Sequence, residues 1–95
     1  MVAPPGQRLT ARFEGQVQGV GFRFTVCRLA AGRAVSGQVR NEEDGSVRLV
    51  AEGTEPELLG LLRDIQTSAL GRYITRTDSN WSAAHGVFKG FDIAY

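Results

Sequence analysis

The sequence predicts an α+β fold, two helices packed on one face of an antiparallel sheet in the order β-α-β-β-α-β plus a short C-terminal strand. Three observations predict it. Residues 8–17 alternate apolar and polar with period two, the pattern of a strand with one buried and one wet face. Two stretches, beginning near residues 22 and 55, switch to helical spacing. Between them, two extended runs flank a short acidic turn. That order is the ferredoxin-like split βαβ sandwich.

In the first strand Leu9, Ala11, Phe13, Gly15 and Val17 share one face, with Arg8, Thr10, Arg12, Glu14 and Gln16 on the other. Phe22, Val26, Leu29 and Ala30 then form one stripe of a helix running to about Arg33, with Gly32 as its stop. Val35 to Glu42 is extended, with Val35, Gly37, Val39 and Asn41 on one face. Glu42-Glu43-Asp44-Gly45 reads as a hairpin turn, and Val47, Leu49 and Ala51 face the core on the returning strand. Thr54-Glu55-Pro56-Glu57 carries the marks of a capping box with proline in the first turn. Leu58, Leu61, Leu62 and Ile65 make that helix's apolar stripe, and Leu59 widens it. Arg72 to Trp81 reads as a less tidy strand, Ser82 to Val87 as a loop, and Phe88 to Tyr95 as the closing strand.

The chain has 95 residues, enough for one domain that buries a core without disulfides. Residues 1–7 read as a flexible tail and 8–95 as the folded unit. A net charge of +1 gives no broad attraction to nucleic acid or to an anionic membrane. Cys27 is the only cysteine, so no internal disulfide forms, and no apolar run reaches membrane-spanning length. These features predict a cytoplasmic protein.

Chemistry concentrates between the first strand and first helix, in Gly15-Gln16-Val17-Gln18-Gly19-Val20-Gly21-Phe22-Arg23. Glycines at 19 and 21 let the backbone take positive φ, and successive N–H groups can then converge on an anion. The following helix adds unpaired donors and the positive end of its dipole. Arg23 adds a permanent charge with a planar fork suited to two phosphate oxygens. No P-loop pattern fits, and Phe24 stands where a dinucleotide fingerprint needs glycine or alanine. By residue chemistry alone, the segment is either an anion site or a plain tight turn.

A second motif follows, Gly37-Gln38-Val39-Arg40-Asn41-Glu42-Glu43-Asp44-Gly45-Ser46-Val47. In this order and spacing the two motifs resemble the two signatures of the acylphosphatase family, and the similarity runs from about Leu9 to Tyr95. The resemblance implies hydrolysis of a carboxyl–phosphate anhydride to a carboxylate and inorganic phosphate. It implies that Arg23 binds the substrate phosphate, and that Asn41 orients the attacking water. The backbone N–H groups of Gln18, Gly19, Val20, Gly21 and Phe22 would complete the phosphate cradle. The anhydride is already activated and its carboxylate leaving group needs little protonation, so no metal, cofactor or strong general base is expected.

The expected ligands are a small acyl phosphate, with inorganic phosphate as product and competitive inhibitor, acting on a monomer. The alternative is a non-catalytic module of the same fold that binds phosphate or carbamoyl phosphate, as in larger carbamoyl-transfer proteins that mature hydrogenases. RNA recognition shares the strand and helix order but needs exposed aromatics on the central strands, where Arg12, Glu14, Arg48 and Val50 stand. Glu42, Glu43 and Asp44 read as a solvated hairpin tip, and His85 as a surface loop residue. Trp81, Phe88, Phe91 and Tyr95 are expected to cover sheet and core. Two departures from the family bear on the exit of the first helix. Gln38 stands where many members have tryptophan, and Arg33-Ala34-Val35 where many have Leu-Gly-Leu.

Overall fold

A computed structural model describes residues 6–95. The tail expected over residues 1–7 lies outside these except for Gly6 and Gln7, and Gln7 is already the first residue of a strand. The elements run β1 (Gln7–Gly15), α1 (Phe22–Ala31), β2 (Val35–Asn41), β3 (Val47–Gly53), α2 (Glu55–Thr67), β4 (Ile74–Ala83) and β5 (Phe91–Ile93).

The sheet order is β4-β1-β3-β2-β5. Each βαβ unit therefore straddles a strand of the other: β3 lies between β1 and β2, and β1 between β3 and β4. Those four strands are antiparallel to one another where they pair. β5 pairs parallel with β2, through Gly37 opposite Phe91 and Val39 opposite Ile93, so the sheet as a whole is mixed.

Period two holds along β1 as far as Phe13, and the inward face read for β3 is the one under the helices. Leu9, Ala11 and Phe13 of β1 and Val47, Leu49 and Ala51 of β3 are fully buried under the helices. Phe22, Val26 and Ala30 of α1 and Leu58, Leu61 and Ile65 of α2 close the core from above, with Phe13 and Phe22 rings 5.2 Å apart. Asn41 lies opposite Val47, which places its side chain on this covered face.

Several local expectations change. β1 ends at Gly15, where the register against β4 shifts, and Val17 is buried from the loop instead of from a strand. Arg72 and Tyr73 belong to a 3-10 turn, Ala69–Tyr73, that Ser68 caps by accepting the Leu70 N–H. β4 begins at Ile74 and runs through Ser82 and Ala83. The closing strand shrinks to three residues, and Leu59 is exposed. Thr54 occupies the N-cap of α2 and Pro56 its first turn, but no side-chain cap bond forms. Glu57 reaches across to accept the Ala34 N–H at 2.7 Å and to pair with Arg33. Arg33 also forks onto Asp64, so its side chain lies over Gly60 and ties the exit of α1 to α2. Gln38 sits on the open face of the sheet, opposite Val50 and Asp92.

Residues 84–90 carry the chain from β4, at one edge, across the open face to β5. Glu52 anchors the crossing: its carboxylate accepts the His85 and Gly86 N–H groups at 2.8 and 2.9 Å and the Arg8 Nε at 2.8 Å. The Phe88 ring lies against Arg8, and the Gly90 carbonyl accepts the Gly37 N–H. This strap explains why Glu52 is only 6% exposed on a face read as wet. Burial pushes its carboxyl up, but the His85 N–H, Arg8 and the Gly86 N–H together outweigh burial and hold it below the usual range.

Candidate active site

The two motifs meet at one end of the sheet. After β1 the chain turns through Gly19 at φ 80° and Gly21 at φ 76°, both left-handed. Gly21 is the N-cap of α1, and with no side chain it leaves the first-turn N–H groups uncapped. A residue with a Cβ would pay roughly 1–2 kcal/mol to hold either conformation. Among the described residues, none of the N–H groups of Gln18, Gly19, Val20 and Gly21 donates to another group of the protein. A run of unpaired donors at a helix N-terminus is an anion-binding arrangement.

Arg23 follows within the first turn of α1. Its guanidinium has no carboxylate within ion-pairing distance among the described residues and instead lies over the Tyr95 ring, 5.2 Å from the centroid. Tyr95 is 99% exposed, so it does not cover the core as expected. Its ring backs the arginine.

Asn41 ends β2 beneath this loop. Its Oδ1 is fully shielded from solvent and has no hydrogen-bond partner. A buried carbonyl-type oxygen left unpaired costs about 1–3 kcal/mol, so its persistence calls for a function. One pocket of about 140 Å³ collects Val17, Gly19, Gly21, Phe22, Arg23, Phe24, Asn41 and Ile93. Four of the residues read as site residues (Gly19, Gly21, Phe22 and Arg23) thus line the pocket with Asn41. Gln18 and Val20 lie in the loop behind it, and neither lines the pocket.

The Gln18 side chain has a task of its own, beside the donor role expected of its backbone N–H. Its Nε2 donates to the Glu42 carbonyl at 2.8 Å and the Ser46 carbonyl at 2.9 Å. These are the two ends of the β2–β3 turn, closed by the Glu42 N–H donating to Ser46 O. The clamp fixes the glycine loop against the residue next to Asn41. Sequence reading passed over it because a loop glutamine shows no periodicity and no partner until the fold supplies one.

The hairpin tip beside the pocket is a network of charges. Asp44 accepts the Ser46 hydroxyl and N–H at 2.6 and 2.9 Å and also pairs with Arg12, while Arg40 pairs with Glu42. The Ser46 hydroxyl and N–H, then Arg12, hold the Asp44 carboxyl well below the usual range. Glu42, Glu43 and Asp44 with Arg12, Arg40 and Tyr95 line a wider, open concavity that adjoins the small pocket at Asn41. His85 lies in the strap, tied there by its backbone.

The chain matches the acylphosphatase family model over residues 9–93. It is 42% identical over 87 residues to an acylphosphatase of Salinibacter ruber, covering 92% of each chain. It is 44% identical over 93 residues to one of Mycobacterium avium, covering 92% of this chain and 94% of that one. The crystal structure of acylphosphatase from Bacillus subtilis superposes with a TM-score of 0.86 at 30% identity, covering 94% of this chain and 99% of that one.

Proposed function

The chain belongs to the acylphosphatase family and hydrolyses the carboxyl–phosphate bond of acyl phosphates, and we propose that it does so by holding the phosphoryl group between Arg23 and the loop donors while Asn41 directs water at phosphorus. The observation that carries this reading is the shielded, unpaired Asn41 Oδ1, on a residue that lines the same pocket as Arg23.

The phosphoryl group sits where the N–H groups of residues 18–22 and the α1 dipole supply partial positive charge, with Arg23 adding a full one. Phosphoryl transfer asks chiefly for positioning and charge stabilisation, and each aimed donor contributes about 3 kcal/mol. The Asn41 oxygen accepts a hydrogen from water and so sets that water in line with the leaving carboxylate. An amide is too weak a base to keep the proton, which passes to a phosphate oxygen. The leaving group departs as a stable carboxylate and requires no acid.

Inorganic phosphate carries the features the cradle recognises, so it acts as a competitive inhibitor. No helix among the described residues is long and apolar enough to cross a membrane. The lone cysteine supports a cytoplasmic location, and an activated anhydride whose leaving group needs no acid supports turnover without a metal. The test is benzoyl phosphate hydrolysis in EDTA by the wild type, Arg23→Ala and Asn41→Ala. Turnover should survive EDTA and collapse in both variants, with phosphate inhibition weakened mainly in Arg23→Ala. Full turnover in either variant would remove that residue from the site.

A further inference from the structure

Phe24 has no part in the core. It stands about 200° round α1 from Phe22, away from the buried stripe of Phe22, Val26 and Ala30. Its side chain is 68% exposed, yet it lines the same pocket as Arg23 and Asn41. The Asn41 oxygen is shielded from solvent, whereas Phe24 is the one side chain lining the pocket that is largely exposed.

Size and reaction geometry then say which part of the substrate meets Phe24. A pocket of about 140 Å³ is well below the roughly 300–1,000 Å³ of sites that enclose a whole organic ligand. It takes the phosphoryl group and leaves the acyl group outside. In an in-line displacement, water and leaving oxygen lie on opposite sides of phosphorus. With water held by Asn41, the carboxylate and its acyl group leave on the far side of phosphorus, outside the small pocket, where the exposed lining side chain is Phe24. In the adjoining concavity Arg12 and Arg40 pair with Asp44 and Glu42, which leaves Glu43 without an ion pair among the described residues, so that side offers no net attraction to a negatively charged acyl group.

We propose that Phe24 is an acyl-side specificity residue whose exposed ring receives an apolar, preferably aromatic, acyl group. The inference rests on the site reading above and adds the chemical class of the acyl group to it.

The experiment is steady-state hydrolysis of benzoyl phosphate and acetyl phosphate by the wild type, Phe24→Ala and Phe24→Trp, with inhibition by inorganic phosphate measured alongside. The wild type should show the lower KM for benzoyl phosphate. Phe24→Ala should raise that KM about fivefold, the size of one aromatic contact, and raise the acetyl phosphate KM much less. The benzoyl phosphate kcat should hold, since the contact binds ground and transition states alike. Phe24→Trp should restore the preference. Parallel shifts for both substrates with weakened phosphate inhibition would mean a disturbed loop, and equal KM values in the wild type would mean no acyl recognition. Either result overturns the inference while hydrolysis stands. If the wild type hydrolyses neither substrate, the site reading itself fails and this inference with it.

Discussion

The Gln18 side-chain amide donates to the Glu42 carbonyl at 2.8 Å, joining the glycine loop to the end of the strand that carries Asn41. Two motifs some twenty residues apart in sequence are therefore held in register by one side chain, which also reaches the Ser46 carbonyl.

Gln18→Ala should leave two turn carbonyls without that donor and free the loop to move against Asn41. The expected cost is about 1–2 kcal/mol of stability. The expected loss of kcat/KM is larger in proportion, on the order of tenfold or more, because misplacement of about 1 Å is costly in catalysis. Denaturant unfolding and benzoyl phosphate kinetics read the two effects separately. Unchanged kinetics would show that the loop holds its place without the clamp.

Arg23→Lys keeps the charge but removes the planar fork and the face that lies over Tyr95. Phosphate inhibition should weaken roughly tenfold, the worth of one charge-assisted hydrogen bond. Competitive inhibition constants for phosphate in the wild type and variant measure it. Equal constants would mean that charge alone suffices.

Asn41→Asp places a carboxyl at a shielded oxygen beside the glycine loop, where the proposed function puts the phosphate. At neutral pH the ionised group repels the substrate phosphate, and activity should fall on the order of a hundredfold. Burial favours the neutral acid and raises its pKa. Activity relative to wild type should therefore recover as pH falls, so a pH–rate profile that stays parallel to wild type would count against Asn41 lining the phosphate site.

Glu52 ties the 84–90 strap to the open face, with its carboxyl held below the usual range. A depressed folded pKa means that this contribution to stability is complete above the unfolded value of about 4.3 and is lost as pH falls through the lower folded value. Glu52→Gln should cost about 3 kcal/mol at pH 7, since it leaves Arg8 and two N–H groups facing a neutral amide. The gap to wild type should narrow below about pH 4. Thermal melts of both proteins at pH 7 and pH 3 test this.

A Cβ at Gly60 would overlap the Arg33 guanidinium, which lies over α2 between Glu57 and Asp64. Gly60→Ala alone should be near neutral, because a helix-propensity gain of about 1 kcal/mol is offset by displacing Arg33. In an Arg33→Ala background the same change should realise that full gain, giving a coupling near 1 kcal/mol in a double-mutant cycle. Additive effects would show that Arg33 moves aside freely.

The sequence by itself determined the layers and their facing residues. Period two in β1 and β3 and period 3.6 in α1 and α2 fix which side chains leave water, and Leu9, Phe13, Leu49, Val26 and Leu61 are buried accordingly. It marked the glycine loop as a candidate anion site as well, because glycines at 19 and 21 and an arginine at the helix start have a local meaning, whereas Asn41 stood out only through the resemblance to the family. Tertiary structure decided whatever depends on a partner distant in sequence. Glu57 had an available capping role, but the Ala34 N–H and Arg33, brought alongside by helix packing, bind it instead. Glu52 alternates like a wet-face residue, and only the strap crossing above it makes it buried. Gln18, Phe24 and Tyr95 carry no periodic signal. Their places beside Arg23 and Asn41 follow from which surfaces the fold brings together.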